Sequence, residues 1–454
     1  MRYPAWWSPK RGGPRASSTS TNSSRREWSD LASLLYRSFI STAYCAAFPW
    51  LAKKYATGLG ERRGLYSEEK RDRLPDSPLW FHAVSVGEVQ SAWPLLKILA
   101  REGTGPGEIL LSTTTPTGRE MAYRVAGGLF HEHLYYPWDV PWIVRRSLDA
   151  IRPRAFAVLE TEIWPLMLDE LRERGIPAIL VNGRFSDRTA GNIRSHLHFW
   201  RRVYKSFSLL LVRSERDREL LLEIGLEERR VQVTGDCKID AILLREEEAD
   251  LGWARAVVGE TGPVFLAGST HPGEEEIVLE AFQRLKAKIP SARLIVAPRH
   301  PQRSTRVLEL AKRAAPAALL SEVEREKKGR EDPWDILVAD RIGVLFDLYG
   351  VVDGAFVGGS LVDRGGQNIM EPAAFGIPLS HGPFMRDFRE ASESLGEKGV
   401  SVVVRGAGDM AAHWESCLKP EIKGAAREGA RRFFSASSGA AKASVEAIRK
   451  EIGP

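Results

Sequence analysis

The chain has 454 residues, too many for one ordinary core, so two domains of similar size are the first expectation. Its 43% hydrophobic and 27% charged residues are those of a folded globular protein, and three scattered cysteines (Cys45, Cys237, Cys417) with no CxxC pair exclude a cysteine zinc site or a disulfide scaffold. The net charge of +6 suits an acidic partner such as anionic lipid, a phosphorylated substrate or nucleic acid, but basic residues are spread through mixed-sign faces, which argues against a nucleic-acid stripe.

Residues 1–28 are expected to form a disordered tail rich in Ser, Thr, Gly, Pro and Arg, with six Lys/Arg and no acid in the first 26 positions. An acid-free, Arg- and Ser-rich start also resembles a transit peptide, and an over-called start would read the same. Residues 29–55 follow as a moderately apolar helix. Arg37 and several Ser/Thr interrupt it, and it closes on Pro49-Trp50 and Lys53-Lys54. That pattern fits a shallow, membrane-associating helix better than a full span; an ordinary docked helix is the alternative.

From Leu79 the pattern alternates strand and helix. Leu79–Val86, Glu108–Ser112, Ala155–Leu159, Ala178–Asn182, Ser208–Arg213 and Val231–Gly235 read as buried strands, making 56–240 a first Rossmann-like domain. Residues 241–262 read as a charged connection. Strands recur at Val264–Ala267, Arg293–Ala297, Ile336–Ala339, Ala355–Val357 and Val402–Val404, so 263–436 reads as a second such domain. Residues 437–454 are a last helix that crosses back to the first domain. The fold class is α/β, with two parallel sheets facing each other across a cleft at the carboxyl ends of their strands.

Candidate chemistry collects at those strand ends. Glu88 follows the strand HAVSVG in the first turn of a helix, where the positive helix end favours an ionised carboxylate able to accept a proton from a hydroxyl; a plain first-turn Glu is the alternative. Glu160 and Glu162 (LETEIWP), the hydroxyls Ser112, Thr113 and Thr114, and Arg184 (NGR) sit on the same rim, with helix capping as the ordinary account. In the second half, Gly268-Ser269-Thr270 precedes a helix, and Arg299-His300 between two prolines presents a planar cation suited to phosphate. Gly358-Gly359-Ser360 and Gly365-Gly366 lead to Asn368 and Glu371, an amide and a carboxylate three apart that suit a ribose; a capped Gly-rich turn is the alternative. Lys238 lies at the domain junction, within reach of a phosphate or free as a hinge lysine.

Taken in order, HAVSVGEV, STTTPTG, ETE-x-WP, NGRFSDRT, GDCKID, AGSTHPGEEE, PRHP and VGGSLVDRGGQN-x-x-EPAAFG-x-P resemble the 3-deoxy-D-manno-oct-2-ulosonic acid (Kdo) transferases, from about Trp80 to Glu390. The resemblance implies a GT-B glycosyltransferase with no cofactor and no metal. Its donor would be CMP-Kdo and its acceptor the tetraacylated lipid A precursor, met at the cytoplasmic face of the anionic inner membrane. It implies Glu88 as general base, an acceptor-binding first domain, and CMP held by Gly268–Thr270, Arg299-His300, Gly343, Gly359-Ser360, Asn368 and Glu371, with Lys238 nearby. Gln367 stands where the family usually has His, and Val344 where it has an acid. Another GT-B enzyme with a different nucleotide sugar and a non-catalytic membrane-peripheral protein are the competing readings.

Overall fold

The computed structural model describes residues 20–259, 261–325 and 334–453, with side chains from Tyr36 onward. Two seven-stranded sheets, all parallel, organise the chain. The first is built from β1 (Leu79–His82), β2 (Ile109–Thr113), β3 (Glu132–Tyr135), β4 (Ala155–Leu159), β5 (Ala178–Gly183), β6 (Leu209–Val212) and β7 (Val231–Val233) in the order β3-β2-β1-β4-β5-β6-β7. The second is built from β8 (Val264–Thr270), β9 (Arg293–Pro298), β10 (Ala317–Leu319), β11 (Ile336–Val338), β12 (Gly354–Val357), β13 (Leu379–His381) and β14 (Ser401–Val403) in the order β10-β11-β9-β8-β12-β13-β14.

The central strands read as short apolar runs because helices cover both sheet faces. Every residue of β1, β2, β4 and β5 is buried, and each sheet is sandwiched between two apolar clusters. Strand order reverses between β1 and β4 in the first sheet and between β8 and β12 in the second. At such a point the crossover helices leave to opposite faces and open a crevice at the carboxyl ends, where ligands bind in open α/β sheets. Glu88 lies just beyond β1, Glu160 and Glu162 beyond β4, His271 beyond β8, and Gly358–Ser360 beyond β12.

The structure corrects two boundaries. Helix begins by Ser20 and runs to Lys54, so residues 20–28, expected in the tail, are its first turns; no Gly or Pro interrupts the sequence from Arg15 to Phe48. Residues 1–19 lie outside the described part. The 241–262 stretch, expected as a charged connection, is largely helical: it holds the end of helix Cys237–Glu247 and all of helix Leu251–Val258, with Ile242, Leu244, Ala254 and Val257 buried. The first of these belongs to both halves: Cys237 and Leu244 pack in the first domain's core, Ile239 and Ile242 in the second's. The last helix, Ala440–Ile452, packs Ala441, Val445 and Ile448 into the first domain, and Asp240 accepts the N–H groups of Gly439 (2.7 Å) and Ala441 (3.0 Å) at its start.

The N-terminal helix lies against the first domain through Tyr44 on Trp138 (centroids 5.5 Å apart), Tyr36 on Phe199 (6.0 Å) and an Arg37–Glu173 ion pair (2.9 Å). Among the described residues no helix is long and apolar enough to cross a membrane.

Candidate active site

The helix Val86–Arg101 starts from the β1 turn and carries Glu88 in its first turn, 7% exposed. Its carboxylate folds back over the turn: Oε2 accepts the Val84 N–H at 2.7 Å and Oε1 the Ser85 hydroxyl at 3.2 Å. Burial, with the neighbouring charges of Glu162 and Glu160, raises its pKa to about 7 against those two hydrogen bonds. Burial thus works against the ionised form that the helix start was expected to favour. A group poised near neutrality is a better-matched base than an ordinary glutamate.

Glu160 holds a left-handed backbone (φ 59°), unusual outside glycine, and pairs with Lys238 at 2.5 Å. Asn182 (φ 59°) and Ser269 (φ 55°) share that strained conformation, so three of the non-glycine residues with positive φ stand at carboxyl ends of strands around the cleft. Lys238 reaches a first-domain carboxylate rather than a free phosphate position. Arg184 is exposed and makes no ion pair among the described residues; it lines the cleft together with Arg245, Asn368 and Glu371, and the cleft encloses about 850 Å³.

Ser112 and Thr113, expected on the acceptor rim, are fully buried within β2. The Ser112 hydroxyl accepts Trp80 Nε1–H (2.8 Å) and contacts His82 Nδ1 (3.0 Å), while Thr113 contacts His133 Nε2 (2.9 Å). β2 ends one residue later than expected, at Thr113, so neither side chain reaches the rim. Thr114 is next in sequence; its carbonyl accepts the buried Arg62 at 2.7 Å and its hydroxyl is buried without a partner.

In the second domain, Arg299 is exposed beyond β9, makes no ion pair among the described residues, and lies close enough to Glu371 to lower that carboxyl's pKa, which burial raises. Asn368 hydrogen-bonds Glu371, and Arg245 of the bridging helix stands 3.4 Å from it while stacking on Phe346 (4.0 Å). Asn368, Glu371 and Arg299 thus converge. Gly343 has a positive φ (98°) and open space around it on a separate loop.

The glycine-rich turn departs from expectation. The N–H groups of Gly359 (2.7 Å), Ser360 (2.9 Å), Leu361 (2.9 Å) and His271 (2.8 Å) all donate to one carboxylate, Glu274, which is wholly buried. Gly359 and Ser360 were expected to hold the nucleotide; the protein fills this nest with its own carboxylate. The side chains of Ser360 and Thr270 are likewise internal, Ser360 Oγ accepting the Gly382 N–H (2.8 Å) and Thr270 donating to Glu275 (3.0 Å). Gly268 is required because a Cβ there would lie 2.0 Å from the Tyr349 hydroxyl. Glu275 in turn takes a two-pronged contact from Arg303 (2.7 and 3.2 Å), anchoring the loop that displays Arg299 and His300. Sequence reasoning missed Glu274, Glu275, Arg303 and Arg245; the only signal was the acidic run GEEE directly after a strand end.

The sequence pattern of the family described as 3-Deoxy-D-manno-octulosonic-acid transferase (kdotransferase) matches residues 57–241. The chain is 32% identical to the 3-deoxy-D-manno-octulosonic acid transferase of Haemophilus influenzae over 350 residues, covering 76% of this chain and 79% of that one. It is 32% identical to the enzyme of the same description from Bordetella pertussis over 391 residues, covering 83% and 88%. Among solved structures, UDP-GlcNAc 2-epimerase from Neisseria meningitidis superposes with a TM-score of 0.57 at 15% identity over 82% of this chain and all of that one, a likeness of fold. The two-sheet architecture is GT-B.

Proposed function

Because the chain belongs to the 3-deoxy-D-manno-octulosonic acid transferase family of lipopolysaccharide biosynthesis, we propose that it transfers Kdo from CMP-Kdo to the tetraacylated lipid A precursor without a metal. The observation that carries this reading is Glu88, a buried carboxylate just beyond β1 at the switch point of the first sheet, while Arg299, Asn368 and Glu371 follow strand ends of the second. In the reaction, Glu88 takes the proton of the acceptor's primary hydroxyl. That oxygen forms a bond to the anomeric carbon as the bond to the CMP phosphate breaks, inverting the centre. Arg299 stabilises the charge that collects on the departing phosphate, and Asn368 and Glu371 hold the ribose.

The nucleotide supplies the first test. CMP should bind, in EDTA, at least about tenfold more tightly than UMP or GMP by calorimetric titration. Preference for UMP or GMP would favour the alternative of another nucleotide-sugar enzyme. The pH profile supplies a second. With the base at about pKa 7, kcat/KM should rise about tenfold per pH unit on the acid side and level off above about pH 8. An acid limb centred near 4.5 would show that Glu88 is not the titrating base.

The enzyme is proposed to work at the cytoplasmic face of the inner membrane, with the N-terminal helix lying in the interface. Phe39 (69% exposed) and Trp50 (60% exposed) project from that helix, with Trp142 and Phe199 exposed on the domain beside it and Lys53-Lys54 in its last turn. Replacing Phe39 and Trp50 with Ser should reduce co-sedimentation with anionic phospholipid vesicles by about tenfold while CMP affinity is unchanged. Unaltered sedimentation would place membrane contact elsewhere.

A further inference from the structure

Glu274 already occupies the N–H nest beyond β12, so a second anionic group of the donor arriving there would be met by side chains. Such side chains are present beyond Arg299. His271 follows β8, and its Nε2 stands 3.5 Å from Gln367 Nε2. Its ring lies 6.1 Å from that of His300, nearly perpendicular. Both His271 and Gln367 sit over Gly359, where a Cβ would meet Gln367 Nε2 at 3.2 Å and His271 Cδ2 at 3.3 Å. Arg364 projects from the turn between Gly359 and Gly366, whose ends are joined by the Gly366 N–H to Gly359 carbonyl bond (2.9 Å). Arg299, Arg364 and His300 make no ion pair with a carboxylate among the described residues; Glu274 is taken up by backbone donors, and Asp363 and Asp387, on and against the same turn, face Arg386 (3.5 Å each). Burial and the positive charges of Arg364, His300 and Arg299 together hold the His271 pKa below the ordinary histidine value, against the pull of Glu274. Arg299, His300 and Arg364 thus stand around His271 with none of the three in an ion pair among the described residues.

We propose that His271, Arg364 and Gln367 form the subsite for the carboxylate of the donor sugar, distinct from the phosphate position at Arg299. The inference rests on the reading of the donor as CMP-Kdo. Kdo bears its carboxylate on the anomeric carbon, so the donor presents two anions side by side, one on the nucleotide and one on the sugar. A planar Arg fork suits a carboxylate, and an imidazole and an amide supply the remaining donors. A neutral sugar in the same place would leave these groups unpaired, so the subsite would also reject nucleotide sugars without a carboxylate.

The test compares CMP with freshly generated CMP-Kdo, no acceptor present, on wild type, His271→Ala, Arg364→Ala and the conservative Arg364→Lys. The expected result is that wild type binds CMP-Kdo more tightly than CMP. Each Ala variant should lose about tenfold or more in CMP-Kdo affinity, with CMP affinity changed less than about threefold, and Arg364→Lys should recover part of the loss. Thermal unfolding midpoints check that the variants are folded. Equal weakening of both ligands would place these residues on the phosphate, and unchanged binding of both would remove them from the site; either overturns the proposal. A wild type that binds no CMP would instead sink the donor reading itself, and this inference with it.

Discussion

Glu88→Gln should lower turnover by about two to four orders of magnitude while leaving CMP affinity and the unfolding midpoint close to wild type. The amide keeps the size of the carboxyl and can still accept the Val84 N–H through its oxygen. What it cannot do is take a proton from the attacking hydroxyl. Rapid-quench single-turnover measurements at saturating donor check this directly, because they separate chemistry from product release. The residual rate should also lose its acid limb, since the group that titrates at about 7 is gone. A loss below tenfold would mean that another group, with Glu162 the nearest candidate, removes the proton.

Glu274→Ala should be the most damaging single change to the second domain. It leaves the N–H groups of His271, Gly359, Ser360 and Leu361 without their common acceptor in a site that is wholly buried. Each unsatisfied buried donor costs about 1–3 kcal/mol, and partial rehydration of the emptied space recovers some of that, so a net loss of about 3–5 kcal/mol is expected. Urea titration followed by tryptophan fluorescence measures it, with the two domains fitted as separate transitions. Glu274→Gln keeps one acceptor oxygen but turns an NH2 toward backbone donors. It should therefore fold yet weaken CMP by about tenfold, because the loops beyond β8 and β12 are no longer clamped together. A Gln variant with wild-type stability and CMP affinity would show that the clamp is dispensable.

The long apolar strands were legible because a doubly covered parallel sheet writes itself as buried runs with strand–helix alternation. β3, β10 and β13 were not: Glu132-His-Leu-Tyr and Leu379-Ser-His are partly polar, Ala317-Ala-Leu is three residues of weak strand preference, and only their neighbours in the sheet make them strands. The same holds for the site. Glu88 could be placed because a strand, a turning glycine and a helix start fix its position locally. Its protonation could not, because burial depends on what packs over it. Ser112 and Thr113 were misplaced because β2 ends one residue later than its pattern suggested. The role of Glu274 was invisible for a sharper reason: three of its partners lie 85–87 residues away and meet it only when β8 and β12 become neighbours. A glycine-rich turn announces free N–H groups in the sequence, but not whether a ligand or the protein's own carboxylate takes them.

The mass of the acceptor after reaction tests the central claim most directly. Purified protein is given CMP-Kdo, generated in situ, and the tetraacylated lipid A precursor in detergent, with EDTA present, and the lipid is followed by mass spectrometry alongside CMP release. The predicted result is an acceptor heavier by one or more Kdo residues, one CMP released for each, and neither product formed by Glu88→Gln. An unmodified acceptor with CMP-Kdo left intact, from folded protein that binds CMP, would contradict it.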